Sequence, residues 1–529
     1  MRSLLTNTKS FFWPDDRSVR LRRAELTFWA FLLAVAYLPL PFGFIAWFAL
    51  ARPLAIISRM TPGQAFKAAY LFAFMHNLFH LYWVATVTPP GMVAAVFILS
   101  LYPAAVLAAY VKLYRFRKYV GLIALPILWV GMEYFRSLTE FAFPWTDLAY
   151  SQGYYLTLIQ IVSVVGCYGL SLALVVVNIM VWRLFNRANR LEARVTAVIV
   201  ILGLLGGLYL YGWVVFPPYP ETGPVRVSLL QGNVDLATKW RPETRLRSFE
   251  LYDSLSQEAM AAEPQLIVWP ETSAPSYPRV EARYRRLLGK TVAATGTNHL
   301  IGALDVIAGA DKEKSYNAAF QFNPDGSMGT VYHKVKLVPF SEHVPYQDHL
   351  SFLSRDFLAR YLDIIKTRQV QWWSDFYPGD SIVIFDMDTA TYAVLICFES
   401  AFPDYVRHCV RSGAEFLVNI TNDTWFGRSP GPYQHMRLAV FRAVENRCWL
   451  VRCANTGISA FIDPYGRERE RLGLYEQGIL TARISPVEGH GFFTETGPIC
   501  GQISSLIMTA IFVILIVLWL RKRILYKRL

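Results

Sequence analysis

Apolar positions occur in two kinds of run, and the change from one to the other divides the chain. Up to residue 216, and again from 499, the runs match the roughly 20 residues that a helix needs to cross a bilayer. They cover 64–87, 91–111, 119–135, 157–182, 195–216 and 499–520. The stretch 25–58 is long enough for two short spans, because Pro39 and Pro41 break a single helix and favour a tight reversal. The pattern therefore predicts a membrane bundle of about eight helices, seven within 25–216 and one at 499–520. Segments 1–24 and 521–529 flank it.

Between the spans the pattern shortens. Pro217, Pro218, Pro220 and Pro224 mark a linker, and from there to 498 the apolar runs are five to eight residues long, as in strands. Strands are predicted at 225–231, 266–269, 299–306, 318–322, 330–338, 381–386, 392–396, 415–420, 450–454 and 459–462. Helical spacing covers 241–262, 279–295, 403–413 and 433–447. Strands that outnumber the helices and mix with them describe a layered α/β domain over 217–498.

Composition agrees with this division: 54% of the 529 residues are hydrophobic, 17% are charged and the mean hydropathy is +0.30. The formal charge of +13 raises nucleic acid as a partner, but the basic residues cluster beside the apolar runs, where lipid headgroups and topology account for them. Arg52, Arg59 and Lys67 lie in one loop; Lys112, Arg115, Arg117 and Lys118 in the next alternate one; Arg183, Arg187, Arg190 and Arg194 in another. The loops between them are nearly free of Lys and Arg. Both termini are thus expected in the cytoplasm, with 217–498 outside. Arg17, Arg20, Arg22 and Arg23 precede an apolar segment without a small-residue cleavage site, which reads as a retained first span. The six cysteines have neither CxxC nor zinc-type spacing, and no metal or cofactor is implied.

Three predicted strand ends carry candidate chemistry. Leu266-Ile267-Val268-Trp269-Pro270-Glu271 delivers a carboxylate just past a buried strand, where desolvation would raise its pKa toward that of a useful base. Tyr332-His333-Lys334-Val335-Lys336 puts two lysines on one face of a strand, and one of them is placed to meet a developing oxyanion. Tyr392-Ala393-Val394-Leu395-Ile396-Cys397 ends on a thiol at a strand-to-turn position that exposes a nucleophile. Taken singly, each also fits a bland reading: a turn glutamate, solvated lysines, a small buried cysteine.

Together the three runs resemble the nitrilase superfamily, whose Glu-Lys-Cys triad comes in this order from strand ends of an αββα sandwich. The resemblance implies Glu271 as general base, Lys334 as the triad lysine, since Tyr332-x-Lys334-x-x-Leu337 follows the family pattern, and Cys397 as nucleophile. With spans on both sides, the chain resembles the apolipoprotein N-acyltransferase branch of that superfamily from about residue 25 to its end. Gln231-Gly232-Asn233 with Trp240, Leu337-Val338-Pro339-Phe340 with Glu342, Cys397-Phe398-Glu399 and Asn419 to Gly427 carry this likeness. It implies that Glu342 supports the triad and that Trp240, Phe398, Glu399 and Trp425 shape the site. Lys336 and Ser341 depart from the pattern, standing where His and Gly are common.

The resemblance further implies a monomeric enzyme of the bacterial inner membrane with its catalytic domain in the periplasm. Its acyl donor would be a phospholipid and its acceptor a diacylglyceryl apolipoprotein. A membrane-tethered amidase would need the same triad but open to water, and a lipoprotein-binding scaffold would need no triad at all. Both substrates carry acyl chains, so the site must meet the bilayer; the aromatic-rich segment 339–362 is expected to dip into the outer leaflet as a gate. His76 and His80, four apart on one helix face, have the spacing of metal ligands but no third ligand nearby, and read as paired polar packing within the bundle or as lying near the outer interface.

Overall fold

The computed structural model describes residues 17–186, 189–217, 223–235, 239–309, 313–347, 375–487 and 491–526. Among these, five helices are long and apolar enough to cross a membrane: Pro89–Phe116, Lys118–Phe135, Val162–Phe185, Leu191–Val215 and Phe492–Ile524. Pro62–Leu81 packs among them, started by Pro62 and by a capping box in which Thr61 and Gln64 exchange side-chain to backbone hydrogen bonds. The 25–58 stretch divides around Pro39 and Pro41 into Arg17–Val35 and a broken second piece, a 3₁₀ turn Gly43–Trp47 followed by Ala51–Ile57. Asn178 repairs that break: its amide accepts from Leu50 N at 2.8 Å and donates to Ala46 O at 2.8 Å. Backbone groups left open at membrane depth are costly, which explains why a polar side chain sits there. His76 and His80 stack with ring centroids 5.6 Å apart and pack against Tyr37.

The polar half is a sandwich of two six-stranded sheets. One has the order β12-β1-β2-β3-β4-β5 and the other β11-β10-β9-β8-β7-β6. The strands are β1 Val225–Gln231, β2 Leu266–Val268, β3 Asn298–Ala308, β4 Glu313–Phe322, β5 Met328–His333, β6 Ile384–Asp386, β7 Thr391–Ile396, β8 Phe416–Thr421, β9 Leu450–Ala454, β10 Ser459–Ile462, β11 Glu468–Leu472 and β12 Gly478–Ile484. Each sheet has a parallel centre, β1-β2-β3 or β7-β8-β9, with antiparallel neighbours. Alternation divides successive residues between two cores: Leu229, Val268 and Leu300 face the second sheet, whereas Leu230, Ile267 and Ile301 pack under Pro242–Ala259 and Ala282–Thr295. Pro403–Arg411 and Gly431–Asn446 cover the other sheet, completing an αββα order.

Two sequence expectations are corrected. The strand expected over 330–338 ends at His333, so Lys334 and Lys336 do not share a strand face. β11 and β12 lie where no strand was expected; β11 is a charged edge, Glu-Arg-Glu-Arg-Leu, with no apolar pattern to reveal it.

The domain is bolted to the bundle. Gln434 Oε1 accepts from Trp145 Nε1 at 2.9 Å and from Trp83 Nε1 at 3.2 Å. Glu445 Oε1 accepts from Cys167 N at 2.9 Å, where Gly166, at φ +65°, interrupts the helix Val162–Phe185. The carboxylate thereby satisfies an amide that the kink exposes.

Candidate active site

The carboxyl ends of the parallel strands converge where the two sheets meet the membrane helices. After β2, Trp269 N still bonds to Leu300 O; the chain then turns through Pro270 to Glu271 and Thr272, the latter at φ +49°. The turn fits because residue 302 is glycine: a Cβ there would lie 2.2 Å from Pro270 O. Glu271 is 6% exposed, accepting from Asn317 Nδ2 at 2.7 Å and from Asn422 N at 2.8 Å.

Lys334 follows β5 and is 1% exposed. Its Nζ lies 2.8 Å from Glu342 Oε1 and 3.6 Å from Glu271 Oε1. Burial alone would favour the neutral amine, but Glu342, Glu271 and Cys397 outweigh it and hold the lysine above its ordinary value, as an ammonium. Glu342 in turn accepts from Val338 N and Asn317 Nδ2. Lys336 points elsewhere, its Nζ 5.5 Å from the centre of the Phe402 ring.

Cys397 directly follows β7, at φ +52°, and begins a 3₁₀ turn, Cys397–Ala401. A non-glycine residue in that region carries strain, so neighbours must hold it. His435 Nε2 lies 3.1 Å from Cys397 O, and its Nδ1 lies 2.9 Å from Asp423 Oδ1. Arg452 NH2 donates to Asp423 Oδ2 at 2.8 Å. Burial pushes the Asp423 carboxyl up, but Arg452 and His435 prevail and hold it at about 2. Burial raises the Cys397 thiol, Glu271 adds to that, and Lys334 opposes it. Burial likewise raises the Glu271 carboxyl, with Lys334 opposing. A protonated thiol beside a carboxylate of raised basicity is arranged for proton transfer.

Glu399 ties the two halves together. It is fully buried and accepts from Ile396 N at 2.7 Å, Val335 N at 2.7 Å, Lys336 N at 3.1 Å and Tyr332 OH at 2.6 Å. Because Val335 and Lys336 bond to this carboxylate rather than to a strand, β5 stops where it does. Phe398 stacks on Phe143 and Trp145.

Glu271, Lys334, Glu342, Cys397 and Phe398 open on one cavity of about 390 Å³. Glu271, Lys334, Glu342, Cys397, Phe398, Trp240 and Trp425 line it on the domain side; Val84, Val87, Gly91, Ala95 and Leu99, from the membrane helices, line the other. Glu399 is not among its lining residues. Of the expected gate, Pro339, Phe340, Ser341 and Glu342 line the cavity; Phe340 and Tyr346 pack on Phe141, and Tyr346 N donates to Glu140 Oε2 at 2.5 Å. Residues 348–362 lie outside the described residues. Asn317, Asp423, His435 and Arg452 were not singled out from sequence; Asp423 stands inside the Asn419–Gly427 run, which was the only local signal for it.

Comparison with known proteins places these features in a lineage. Residues 226–489 match the carbon-nitrogen hydrolase family, and residues 29–180 match the N-terminal domain of apolipoprotein N-acyltransferases. An apolipoprotein N-acyltransferase from Geobacter metallireducens is 36% identical over 484 residues, covering 88% of this chain and 90% of that one. One from Chlorobaculum tepidum is 32% identical over 485 residues, covering 86% and 88%.

Proposed function

The chain belongs to the apolipoprotein N-acyltransferase family of acyltransferases, and from that premise we propose how its residues move an acyl chain from a phospholipid to the amino terminus of a diacylglyceryl apolipoprotein. Glu271 takes the proton of Cys397, and the thiolate attacks the ester carbonyl of a phospholipid. The oxyanion forms beside the Lys334 ammonium, which is already charged, buried and fixed by Glu342, so it needs little reorganisation. The ester C–O bond breaks and lysophospholipid leaves with the proton from Glu271, leaving an acyl thioester on Cys397. The α-amino group of the acceptor then attacks the thioester, Glu271 removes its proton, and an amide forms as the thiol is restored.

The observation that carries this reading is the shared cavity. The same space touches Glu271, Lys334 and Cys397 and the apolar face Val84, Val87, Gly91, Ala95 and Leu99 of the membrane helices, so an acyl chain can stay out of water while its carbonyl reaches the thiol. Drawing such a chain into water would cost about 0.8 kcal/mol per methylene. Helical pieces at each of the eight expected positions support the eight-span topology, with both ends cytoplasmic and the domain in the periplasm of the inner membrane.

Intact-protein mass spectrometry after exposure to phospholipid tests the thioester: an acyl mass on Cys397 that hydroxylamine removes is expected. Rapid release of free fatty acid with no amine acceptor present would instead make the protein a hydrolase.

A further inference from the structure

A second lysine lies beside the base. Lys239 is 2% exposed, and its Nζ donates to Thr272 O at 2.9 Å and Thr272 Oγ1 at 2.6 Å, the residue directly after Glu271. Both partners are neutral oxygens, and among the described residues this desolvated cation forms no direct ion pair. Burying an ammonium without a carboxylate in contact is unfavourable, and a purely structural tie to a turn could be made by a neutral side chain. The neighbouring Trp240 lines the cavity together with Glu271 and Thr272.

We propose that Lys239 is a positioning residue for the base: its ammonium clamps the left-handed turn at Thr272 that aims Glu271, and supplies the second positive charge that keeps Glu271 ionised. The charges facing Glu271 make the case. Lys334 lies 3.6 Å from it, and Glu342 shares that same lysine at 2.8 Å. One ammonium thus serves two carboxylates, and the Cys397 thiol, once ionised, adds a third negative charge. Asp423, behind Cys397, is neutralised by Arg452. Lys239 brings the inner group of Glu271, Glu342, Lys334 and Lys239 to charge balance before the thiol ionises. Burial lowers Lys239 to about 8, with Glu271 opposing the fall, so it still carries its proton at neutral pH.

This rests on Glu271 being the base, and the experiment separates the two ideas. Rates of acyl-enzyme formation and of Cys397 alkylation by iodoacetamide are measured against pH for the wild type, Lys239→Met, Lys239→Gln and Lys239→Arg, as full chains in nanodiscs. Removing a cation raises the Glu271 carboxyl, so the acidic limb of both profiles moves to higher pH, by about one unit, in Lys239→Met and Lys239→Gln. Lys239→Arg keeps the limb in place. Gln still donates to Thr272 and so guards against misfolding of the Met variant. An unmoved limb in the Gln variant, whether or not its rate falls, would overturn the proposal. Should the wild type gain no acyl mass, the thioester reading fails, and the alkylation profiles still decide the role of Lys239.

Discussion

The two sheets hold their shares of the site by opposite means. The first delivers charged side chains, Glu271 after β2 and Lys334 after β5, which are held by contacts to the side chains themselves, from Asn317 and Glu342. The second delivers a neutral thiol whose backbone is held, by His435 at the Cys397 carbonyl and by Glu399 at the Ile396 amide. Loss of a group from the first half alters charge balance, whereas loss from the second alters shape. The difference teaches which measurements will report on which residue.

The largest effect is expected from Glu271→Gln, which keeps the shape of the first half and removes its base. Acyl transfer should fall about 10²- to 10⁴-fold. A change of less than threefold would remove Glu271 from the proton path. Glu399→Gln attacks the bridge between halves, placing an amide NH₂ where a carboxylate accepts four donors. Destabilisation by about 1–3 kcal/mol, seen in chemical or thermal unfolding, is expected together with slower acylation. Unaltered unfolding would mean the two halves are held by something else.

Acid unfolding sharpens the second half further. Asp423 is depressed from 3.8 to about 2, so its stabilisation is present above the unfolded value and is lost as pH falls through the folded one. The wild type should lose about 2 kcal/mol between pH about 4 and about 2. Asp423→Asn, less stable throughout, should show a flatter profile over that window. The smallest effect is expected at Lys336, whose ammonium rests over Phe402 rather than in the cavity. Lys336→Met should cost no more than about 1 kcal/mol and leave acylation intact.

Much of the site was legible because Glu271 and Cys397 come just after β2 and β7, short buried strands that show in the sequence as continuous apolar runs. β1, β7 and β9 fall where strands were expected. The end of β5 was hidden, because its cause is Glu399, a carboxylate some sixty residues away that captures the amides of Val335 and Lys336. His435 and Arg452 were hidden for a related reason. Each lies in an element whose pattern is accounted for by the core, and only tertiary contact with Asp423 distinguishes it. Glu399, expected to shape the site, is not among the cavity's lining residues and bonds to the amides of Val335, Lys336 and Ile396.

The cavity's two walls come from different parts of the chain. Val84, Val87, Gly91, Ala95 and Leu99 form the apolar wall, while the residues proposed to make and break bonds belong to the sandwich. Exchanging that helical stretch between relatives would therefore retune which tail lengths are accepted and leave the chemistry unchanged, as a lathe keeps its motor when the chuck is replaced.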